Sequence, residues 1–480
     1  MSLLFYSQAN FDTNGVCKEK DLGEADQLLE RLLKEASDDY RICYVKNKSI
    51  VFGRDVFGRK SLCGRLIKKD ERTVVEIAVG FFKEKCTDSF EFPPGALYLL
   101  SDLQNPTCTE FSICFEVDDD FCQNEFLTVY TYYPLVADHP FVSLFKNFKT
   151  LKRDSSSYLQ PSNDFQISPT KDEVESMANE FIKRLSEAIK SLFEPSFLLS
   201  SDLATNPKEA PEQLSICFSG GVDSLTVTVL AALSLPNVKQ FNLINTVFGE
   251  TEKDFDSGSD RRKALECFAF LTEKFGPRFS MILVNVKKSE VAECRQQIEK
   301  AMLPCYTVLD ESLASVTWFG SRSKGQQLFA DGHEGLKFVP SNCALVGSGA
   351  DELLGGYARH RTTFMQGGWD SLHAELSMEI ARIGARNFGR DDRIAFIERA
   401  PIMSDSFVQW VNKIPLPYRV DFQEPRGLGE KRLLRVALRN LGFPPHLTDT
   451  PKKAMQFGSG YAKLENRGKK GGDVSIEINS

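Results

Sequence analysis

The stretch "LSICFSGGVDSLTVTVLAAL", Leu214–Leu233, decides the fold. A five-residue apolar run gives way to the turn "SGGVDS", which leads into a longer apolar run of helical length. A buried strand that turns through glycines into a helix is the start of a parallel α/β unit. In such a unit the turn lies at the carboxyl edge of the sheet, where free N–H groups and the helix dipole attract anions. The alternatives are a phosphate-binding loop and a plain helix N-cap turn, and the residue types favour the first.

Each residue type in this turn has a use in binding phosphate. Gly220 and Gly221 let the backbone approach a ligand with no Cβ in the way. Ser219 and Ser224 carry hydroxyls that can donate to phosphate oxygens. The carboxylate of Asp223 would repel a bare phosphate, but it suits a site where Mg²⁺ lies between the two. No lysine follows the glycines, so this is not the phosphate loop of kinases and GTPases.

The segments that follow predict the rest of the architecture. "KQFNLINTVF", "FSMILVNV" and "NCALVG" are short apolar runs separated by helix-like segments, and the chain after about residue 351 is mostly helical in pattern. Continuous apolar strands that alternate with helices are typical of a doubly wound parallel sheet covered on both faces. Upstream, "SPTKDEVESMANEFIKRLSEAIKSLF" predicts a helix that begins at Ser168 or Thr170.

The remaining segments give the predicted domain boundaries. Residues 1–150 contain several β-like runs, such as "RICYVKNKSIVFGRD" and "TEFSICFEV", and predict a β-rich, mostly antiparallel domain. Residues 151–167 have the composition of a linker, residues 168–465 form the α/β domain with its helical end, and residues 466–480 have the composition of a disordered tail.

The amino-acid composition and net charge exclude several kinds of binding partner and site. Hydrophobic residues make up 42% and charged residues 26% of the 480, as in ordinary globular proteins. The net charge of −7 argues against nucleic acid as a main partner. The twelve cysteines include no Cys-x-x-Cys pair, so we expect neither a zinc site nor a disulfide framework. We also expect no signal peptide, no membrane partner and a cytoplasmic location. No feature of the sequence indicates an oligomeric state.

A second motif, "ALVGSGADELLGGYARHR" (Ala344–Arg361), also follows a strand-like run. A helix capped by Asp351 and ended by two glycines explains part of it, but not the order Gly-Ala-Asp-Glu and Gly-Gly-Tyr. Together with the first motif it resembles the asparagine synthetase family, whose signature is Ser-Gly-Glu-Gly-Ala-Asp-Glu followed by Gly-Gly-Tyr. The resemblance covers residues 165–460. It implies an ATP-pyrophosphatase fold that cleaves ATP between its α- and β-phosphates.

The resemblance also implies a reaction. The side-chain carboxylate of aspartate attacks the α-phosphorus of ATP, pyrophosphate leaves, and ammonia or another amine then displaces AMP. Asp223 and Asp351 share Mg²⁺, and Asp351 also counts as catalytic. A lysine of "PKKAMQFGSG" stabilises charge on the α-phosphate, with Lys452 and Lys453 both open and a basic surface turn as the alternative. The residues assigned to ATP are Ser219, Gly220, Gly221, Asp223, Ser224, Leu243, Val247, Gly347 and Gly349.

This chain departs from the family at several positions. Ser348 stands where the family has a glutamate that is a candidate general base. In "IERAPIMSD", Ile397 and Ser404 replace two acids, for which Glu398 or Asp405 could substitute. These changes leave two further hypotheses open: an adenylating enzyme with another carboxylate or acceptor, and a nucleotide-binding scaffold without turnover.

The N-terminal domain departs further from the family. "FGRDVFGRKSL" and "FEFPPGALY" resemble the latter part of a class II glutaminase. The N-terminal cysteine of that fold is replaced by Ser2, and "YSQAN" lies where its Asn-Gly oxyanion donors should be. We therefore expect a truncated domain without glutamine hydrolysis.

Two smaller features of the sequence are a series of arginines and a histidine beside the second motif. Arg382, Arg386, Arg390 and Arg393 have spacings of four, four and three residues, which predicts one basic helix face. That face either binds anions or pairs with Asp391 and Asp392. His360 lies beside the second motif, and we expect it to be a packed or surface histidine rather than a functional one.

Overall fold

A computed structural model describes residues 161–193, 211–335, 343–395, 398–451 and 453–464, together with strands and short connections between residues 41 and 152. Ser2, "YSQAN", most of the expected linker, Ile397, Lys452 and the expected tail lie outside the described residues.

The strands are numbered in chain order. They are β1 (Arg41–Lys46), β2 (Ser49–Arg54), β3 (Cys63–Lys69), β4 (Arg72–Gly80), β5 (Phe90–Glu91), β6 (Ala96–Leu100), β7 (Thr109–Glu116), β8 (Tyr133–Pro134), β9 (Phe148–Lys152), β10 (Gln213–Cys217), β11 (Gln240–Phe248), β12 (Phe279–Val286), β13 (Gln326–Phe329), β14 (Glu334–Gly335), β15 (Ala344–Leu345) and β16 (Glu398–Arg399).

The described helices are numbered in the same way. They are α1 (Lys171–Ser191), α2 (Val222–Ser234), α3 (Glu252–Ser257), α4 (Ser259–Phe275), α5 (Lys288–Met302), α6 (Val308–Arg322), α7 (Ala350–Leu354), α8 (Ala358–Ile383), α9 (Gly389–Ala395), α10 (Asp405–Lys413), α11 (Leu416–Arg419), α12 (Arg432–Asn440), α13 (Pro445–Thr448), α14 (Met455–Gly458) and α15 (Tyr461–Leu464). A π-helical turn, Gly384–Phe388, joins α8 to α9.

The main sheet has seven strands in the order β14-β13-β12-β11-β10-β15-β16. The five strands β12, β11, β10, β15 and β16 run parallel, and β13 and β14 add an antiparallel edge. The chain leaves β10 in one direction to build β11 and β12, and returns to its other side to build β15 and β16. The loops after β10 and β15 therefore lie side by side at the point where the strand order reverses, which is where open α/β sheets bind ligands.

The sequence explains why this sheet forms. Eight of the nine residues of β11 are buried, which is typical of a strand covered on both faces. Helix α2 buries eleven of its thirteen residues, including every apolar residue except Leu233. Helix α1 begins with Thr170 as N-cap and a capping box to Glu173, which confirms the helix predicted from the sequence. The α/β class with a largely parallel sheet is confirmed.

The described strands of the N-terminal part form two smaller sheets. One has the order β1-β2-β6-β9 and is antiparallel throughout. The other has the order β5-β3-β4-β7-β8, in which only the β4–β7 pairing is parallel. Strand pairing is thus mostly antiparallel, as predicted. The resemblance of this part to a glutaminase stays a prediction.

A buried ionic joint connects the N-terminal strands to the α/β part. Arg393 of α9 pairs with Glu91 at 2.6 Å, and both side chains are at most 3% exposed. Glu91 also pairs with Arg54 at 3.2 Å. Lys60 pairs with Asp392 at 3.1 Å. Because each of these charges is removed from water, each needs its partner.

Candidate functional site

The turn after β10 has the form of an anion-binding loop. Gly220 has φ +72°, and a Cβ placed on it would lie 2.6 Å from the backbone nitrogen of Ala264. Only glycine meets both conditions, because L-residues are strained at this φ and the contact leaves no room. Gly221 is the N-cap of α2, so the first N–H groups of this helix have no intrahelical acceptor. These groups face the edge of the sheet beside the exposed Ser219.

Side chains behind the loop hold its backbone. Asn245 of β11 donates from Nδ2 to the carbonyl oxygen of Phe218 at 2.9 Å. The buried thiol of Cys267 on α4 contacts the carbonyl oxygen of Gly220 at 3.5 Å. The loop is therefore anchored from two neighbouring elements and does not depend on its own turn residues alone.

The loop after β15 packs against the loop after β10. A Cβ on Gly347 would lie 2.8 Å from Cβ of Asp223 and 3.0 Å from the backbone nitrogen of Ser224. Gly349 has φ +93° and lies against the side chain of Met403. Because both residues lack a side chain, the backbone of this loop lies close to its neighbours. Helix α7, which carries Asp351, is thereby placed next to the loop after β10.

The centre of the site is a lysine between two carboxylates. The Nζ atom of Lys431 donates to Asp223 at 2.7 Å and 2.5 Å and pairs with Asp351 at 2.7 Å. The side chain of Lys431 is 1% exposed, whereas those of Asp223 and Asp351 are 22% and 10% exposed. The two aspartates from separate loops thus converge on one cation.

The backbone shows how Lys431 reaches this position. It has φ +54° and ψ +37°, the left-handed conformation, and it is the N-cap of α12. Its N–H donates to the carbonyl oxygen of Leu354 at 3.2 Å. The sequence motifs did not point to Lys431. A usable signal was present, because in "GLGEKRLLR" basic residues begin a helix, where the dipole disfavours them.

Two further cations lie beside the aspartates. Lys263 of α4 and Arg435 of α12 both act electrostatically on Asp223. Burial lowers the pKa of Lys263, of Arg435 and of Lys431, while the charge of Asp223 raises each of them. Further carboxylates act on these cations, namely Asp260 on Lys263, Glu352 on Lys431, and Glu430 and Asp449 on Arg435, so the site combines charges of both signs.

Asp260 lies between Lys263 and the loop that contains Lys453, and both lysines act on its carboxylate. A Cβ on Gly458 would lie 2.2 Å and 2.3 Å from the two carboxylate oxygens of Asp260, so the carboxylate lies against the backbone of α14. Desolvation raises the pKa of Asp260 to about 7, against the lowering effect of Lys263 and Lys453. Lys453 is exposed, so its ammonium is accessible at the rim of the site.

Glu352 lies behind the aspartates. It is 3% exposed, and burial raises its pKa. Tyr357 donates from its hydroxyl to Oε1 of Glu352 at 2.6 Å, and Asn387 donates to the same oxygen at 3.2 Å. The "GADE" and "GGY" parts of the second motif are therefore joined by a hydrogen bond inside the fold.

The structure brings most of the predicted site residues to one edge of the sheet, but not all of them. Val247 is buried near the carboxyl end of β11. Leu243 is buried in the middle of the same strand, paired with Ile216 and Met281. Its position inside the ladder separates it from the loops. Lys452 lies outside the described residues, so the choice between it and Lys453 stays open.

Of the two alternatives for these arginines, ion pairing is found. The π-helical turn Gly384–Phe388 lies between Arg382 and Arg390, so the α-helical spacing assumed for them does not hold throughout. Arg382 pairs with Glu379, Arg390 with Asp391 at 2.8 Å, and Arg393 is buried in the ionic joint. The predicted pairing with Asp391 is thus found for Arg390. His360 is fully buried, as expected for a packed histidine, and burial lowers its pKa to about 4.

Asp405, one of the two possible substitutes for the missing acids, has a structural partner. Its carboxylate pairs with Arg59 at 2.7 Å, and both side chains are buried. It belongs to the ionic joint. The side chain of Glu398, the other possible substitute, is outside the described residues.

Residues 208–386, which carry both motifs, match the family model described as asparagine synthase. The chain is 28% identical to asparagine synthetase domain-containing protein 1 of Gallus gallus, over 88% of this chain and 78% of that protein. It is 27% identical to the protein of the same name from Mus musculus, over 97% and 84%. An asparagine synthetase domain-containing protein of Drosophila melanogaster is 28% identical over 89% and 77%. The resemblance seen in the motifs is therefore confirmed, and the chain is a relative of these proteins.

No helix among the described residues has both the length and the apolar character needed to cross a membrane.

Two oxygen donors of the site suit a divalent ion. Hard cations such as Mg²⁺ take carboxylate oxygens as ligands. Asp223 and Asp351 already converge on one positive charge, the Lys431 ammonium, at 2.5–2.7 Å. A position where two carboxylates share a cation fits the group that the resemblance implies.

Proposed function

We propose that this protein is an ATP-dependent ligase of the asparagine synthetase type, which adenylates the side-chain carboxylate of aspartate and transfers it to ammonia. The observation that carries the proposal is the convergence of Asp223 and Asp351 on one cation beside the glycine loop. A site for carboxylate adenylation needs a phosphate cradle and a cation next to it. Both features lie at the reversal point of the sheet.

The residues of the site have separate roles in this proposal. The N–H groups of the Ser219–Ser224 loop bind the β- and γ-phosphates, with Ser219 and Ser224 as hydroxyl donors. The backbone near Val247 and Gly347 contacts the adenosine. Asp223 and Asp351 hold Mg²⁺, which when bound neutralises charge on the phosphates. Lys453 or Lys452 stabilises the charge that develops on the α-phosphate.

The bond changes follow from this arrangement. A carboxylate oxygen of aspartate forms a bond to the α-phosphorus, and the bond to the leaving pyrophosphate breaks. Ammonia then adds to the activated carbonyl carbon, loses a proton, and AMP leaves with the former carboxylate oxygen. Ser348 offers a hydroxyl at the position where the family has a candidate base, so the proton must pass to another group or to water.

Ammonia is the proposed nitrogen donor. The resemblance places "YSQAN" where the family has the Asn-Gly oxyanion donors that glutamine hydrolysis uses. The N-terminal region contributes buried ion pairs to the α/β part, including Arg59–Asp405 and Arg393–Glu91. This supports a structural role for that region in the proposed enzyme.

Pyrophosphate release tests the proposal. Purified protein is given Mg-ATP, and aspartate, ammonia and glutamine are added one at a time. We expect release that needs aspartate and increases with ammonia but not with glutamine. Asp223→Ala should abolish it, whereas Asp256→Ala, an exposed aspartate on α3, should not. Wild-type release that does not exceed that of Asp223→Ala would rule the activity out.

A second candidate function is nucleotide binding without turnover. The observation that favours it is Ser348, which replaces a candidate base in an otherwise intact pair of motifs. It predicts tight binding of Mg-ATP, sensitive to Asp223→Ala, and no pyrophosphate under any substrate combination. An adenylating enzyme with a different carboxylate would instead release pyrophosphate with a substrate other than aspartate.

A further inference from the structure

Helix α8 contains a sharp break that turns its second arm back towards its first. Gly368 has φ +68° and ψ −157°, a conformation open to glycine alone, and the residues on either side of it are helical. In a straight helix His360 and Glu375 would lie about 22 Å apart along the axis. Their ligand atoms instead lie within 4.8 Å of each other, so the break at Gly368 brings them together.

The same break assembles three side chains of the kind that bind metal ions. His360 comes from the first arm of α8, and Glu375 and Glu379 come from the second arm, one turn apart on one helix face. Each residue offers one ligand atom, and the three atoms lie within 4.8 Å of one another. Metal bonds of about 2.0–2.2 Å hold neighbouring donors roughly 3–4 Å apart, so small side-chain rotations bring all three onto one ion.

One nitrogen of this cluster is buried without a partner. Nε2 of His360 has no hydrogen bond, although the residue is completely buried. A buried polar atom without a partner is rare in folded proteins, and an ion or another ligand beside it accounts for such a case. An ion between the imidazole and the two carboxylates would give Nε2 its partner.

The other ring nitrogen faces the backbone of the second motif. Burial lowers the pKa of His360 to about 4, and a hydrogen bond to the backbone of Gly355 acts in the opposite direction, as donation to a carbonyl oxygen does. Because Nε2 has no partner, this donor is Nδ1. The 3.3 Å contact between Nδ1 and the backbone nitrogen of Tyr357 is long for a hydrogen bond, so little is lost when Nδ1 carries the proton. Nε2 then keeps the lone pair that a metal ion needs, as in metal-binding histidines generally.

Two arginines balance the charge of the carboxylates. Arg359 pairs with Glu375 at 3.1 Å and also with Glu379, which Arg382 contacts as well. The cluster therefore already attracts positive charge. Neither guanidinium is buried, so both can turn to solvent when an ion enters. Metal binding is then an exchange of one cation for another, and Arg359 is the competitor that contacts both carboxylates.

We infer that His360, Glu375 and Glu379 form a site for a divalent transition-metal ion such as Zn²⁺. Imidazole nitrogen suits zinc and its neighbours in the periodic table, whereas Mg²⁺ and Ca²⁺ prefer oxygen ligands. The site thus differs in selectivity from the oxygen-only site proposed for Mg²⁺. The ion joins the two arms of α8 beside Tyr357, whose hydroxyl donates to Glu352 of the second motif.

Zinc titration in the presence of Mg²⁺ tests this site. The full-length protein is stripped of metal with a chelator, and Zn²⁺ binding is measured by titration calorimetry with millimolar Mg²⁺ present to fill oxygen-only sites. We expect Glu375→Gln to weaken zinc binding by about tenfold or more, and His360→Gln to weaken it at least as much. Arg359→Met should strengthen zinc binding, because it removes the competing guanidinium.

The matched control is Glu180→Gln on α1, since Glu180 also pairs with an arginine, Arg184 at 2.7 Å. It should bind zinc as wild type does. The unfolding midpoint without zinc shows which variants are folded, and the partly exposed Glu375→Gln gives the result even if His360→Gln does not fold. Cysteine thiols also bind zinc, so the difference between variants is what counts. Wild type that binds no zinc would overturn the site, as would equal affinities of wild type and Glu375→Gln.

Discussion

Arg59, in the connection between β2 and β3, donates a hydrogen bond from Nη1 to the carbonyl oxygen of Met403 at 2.7 Å. The same guanidinium pairs with Asp55 and Asp405, so its position is fixed on three sides. Met403 in turn lies against Gly349, in the loop that precedes Asp351. A chain of direct contacts therefore runs from the N-terminal region to the loop that leads to Asp351.

Substitution of Gly349 tests the last contact of this chain. A Cβ at this position would lie 2.3 Å from Cγ of Met403 at φ +93°, so Gly349→Ala combines a clash with backbone strain. We expect a loss of about 1–3 kcal/mol of unfolding free energy from the strain alone, with more from the clash. Urea denaturation measures the change.

Two further variants separate strain from clash. Gly276→Ala at φ +77° has no atom within 4 Å of its Cβ, and should show the strain alone. Met403→Ala removes the clash, so the double variant Gly349→Ala/Met403→Ala should lose less stability than the sum of its single changes. Strict additivity would mean that Met403 does not constrain this loop.

Lys431 and Mg²⁺ should compete for the same pair of carboxylates. Lys431→Met leaves Asp223 and Asp351 without the ammonium that pairs with both, at a cost of about 3–5 kcal/mol if the pair behaves as a buried one. A divalent ion that binds the folded state restores stability by mass action. We therefore expect millimolar Mg²⁺ to raise the unfolding midpoint of Lys431→Met more than that of wild type.

The matched control is Lys463→Met, which removes an exposed lysine paired with Asp254 at 3.5 Å. Its response to Mg²⁺ should equal that of wild type in the same thermal-shift measurement. If Lys431→Met responds no more than this control, the two aspartates do not form the ion site.

Asp260 should make stability depend on pH. Its folded pKa of about 7 lies above the value of about 3.9 for an unfolded aspartate. Between these values the folded state keeps a proton that the unfolded state has released, so this contribution to stability is lost as the pH rises toward 7. Asp260→Asn, which stays neutral, should gain stability relative to wild type between pH 5 and about 7, with no further gain above that.

Urea unfolding at several pH values provides the test. Asp256→Asn, an exposed neighbour on α3, should show a difference from wild type that does not change with pH. A flat difference for Asp260→Asn as well would mean that its carboxylate is solvated in the folded protein.

The features that sequence reasoning predicted are those set by local chemistry. The turn at Gly220 and the capping box at Thr170 depend on residues that lie next to each other along the chain, so their patterns are visible in the sequence. The parallel sheet followed from apolar runs of the length of β11 and β12. Neighbouring loops at the reversal point then brought Asp223 near Asp351.

Features that depend on distant pairing were not predicted. Lys431 joins Asp223 from 208 residues away, and nothing in its own segment names that partner. The arginines after residue 381 were placed on one face because α-helical spacing was assumed, and the π-helical turn changes that spacing. Leu243 was assigned to ATP by the resemblance alone, and the structure places it in the middle of β11, paired with Ile216 and Met281.

The ionic joint bears on how this protein should be produced in the laboratory. Arg393 has its partner Glu91 in β5, and Asp392 and Asp405 have theirs, Lys60 and Arg59, in the connection between β2 and β3. A fragment that starts at α1 would keep both glycine loops but would remove an ion-pair partner from each of these three charges, on a surface that is buried in the full chain. Such a fragment should aggregate or express poorly, even though it contains every residue of the proposed catalytic centre. Expression vectors for this protein should therefore retain the strands from residue 41 onward.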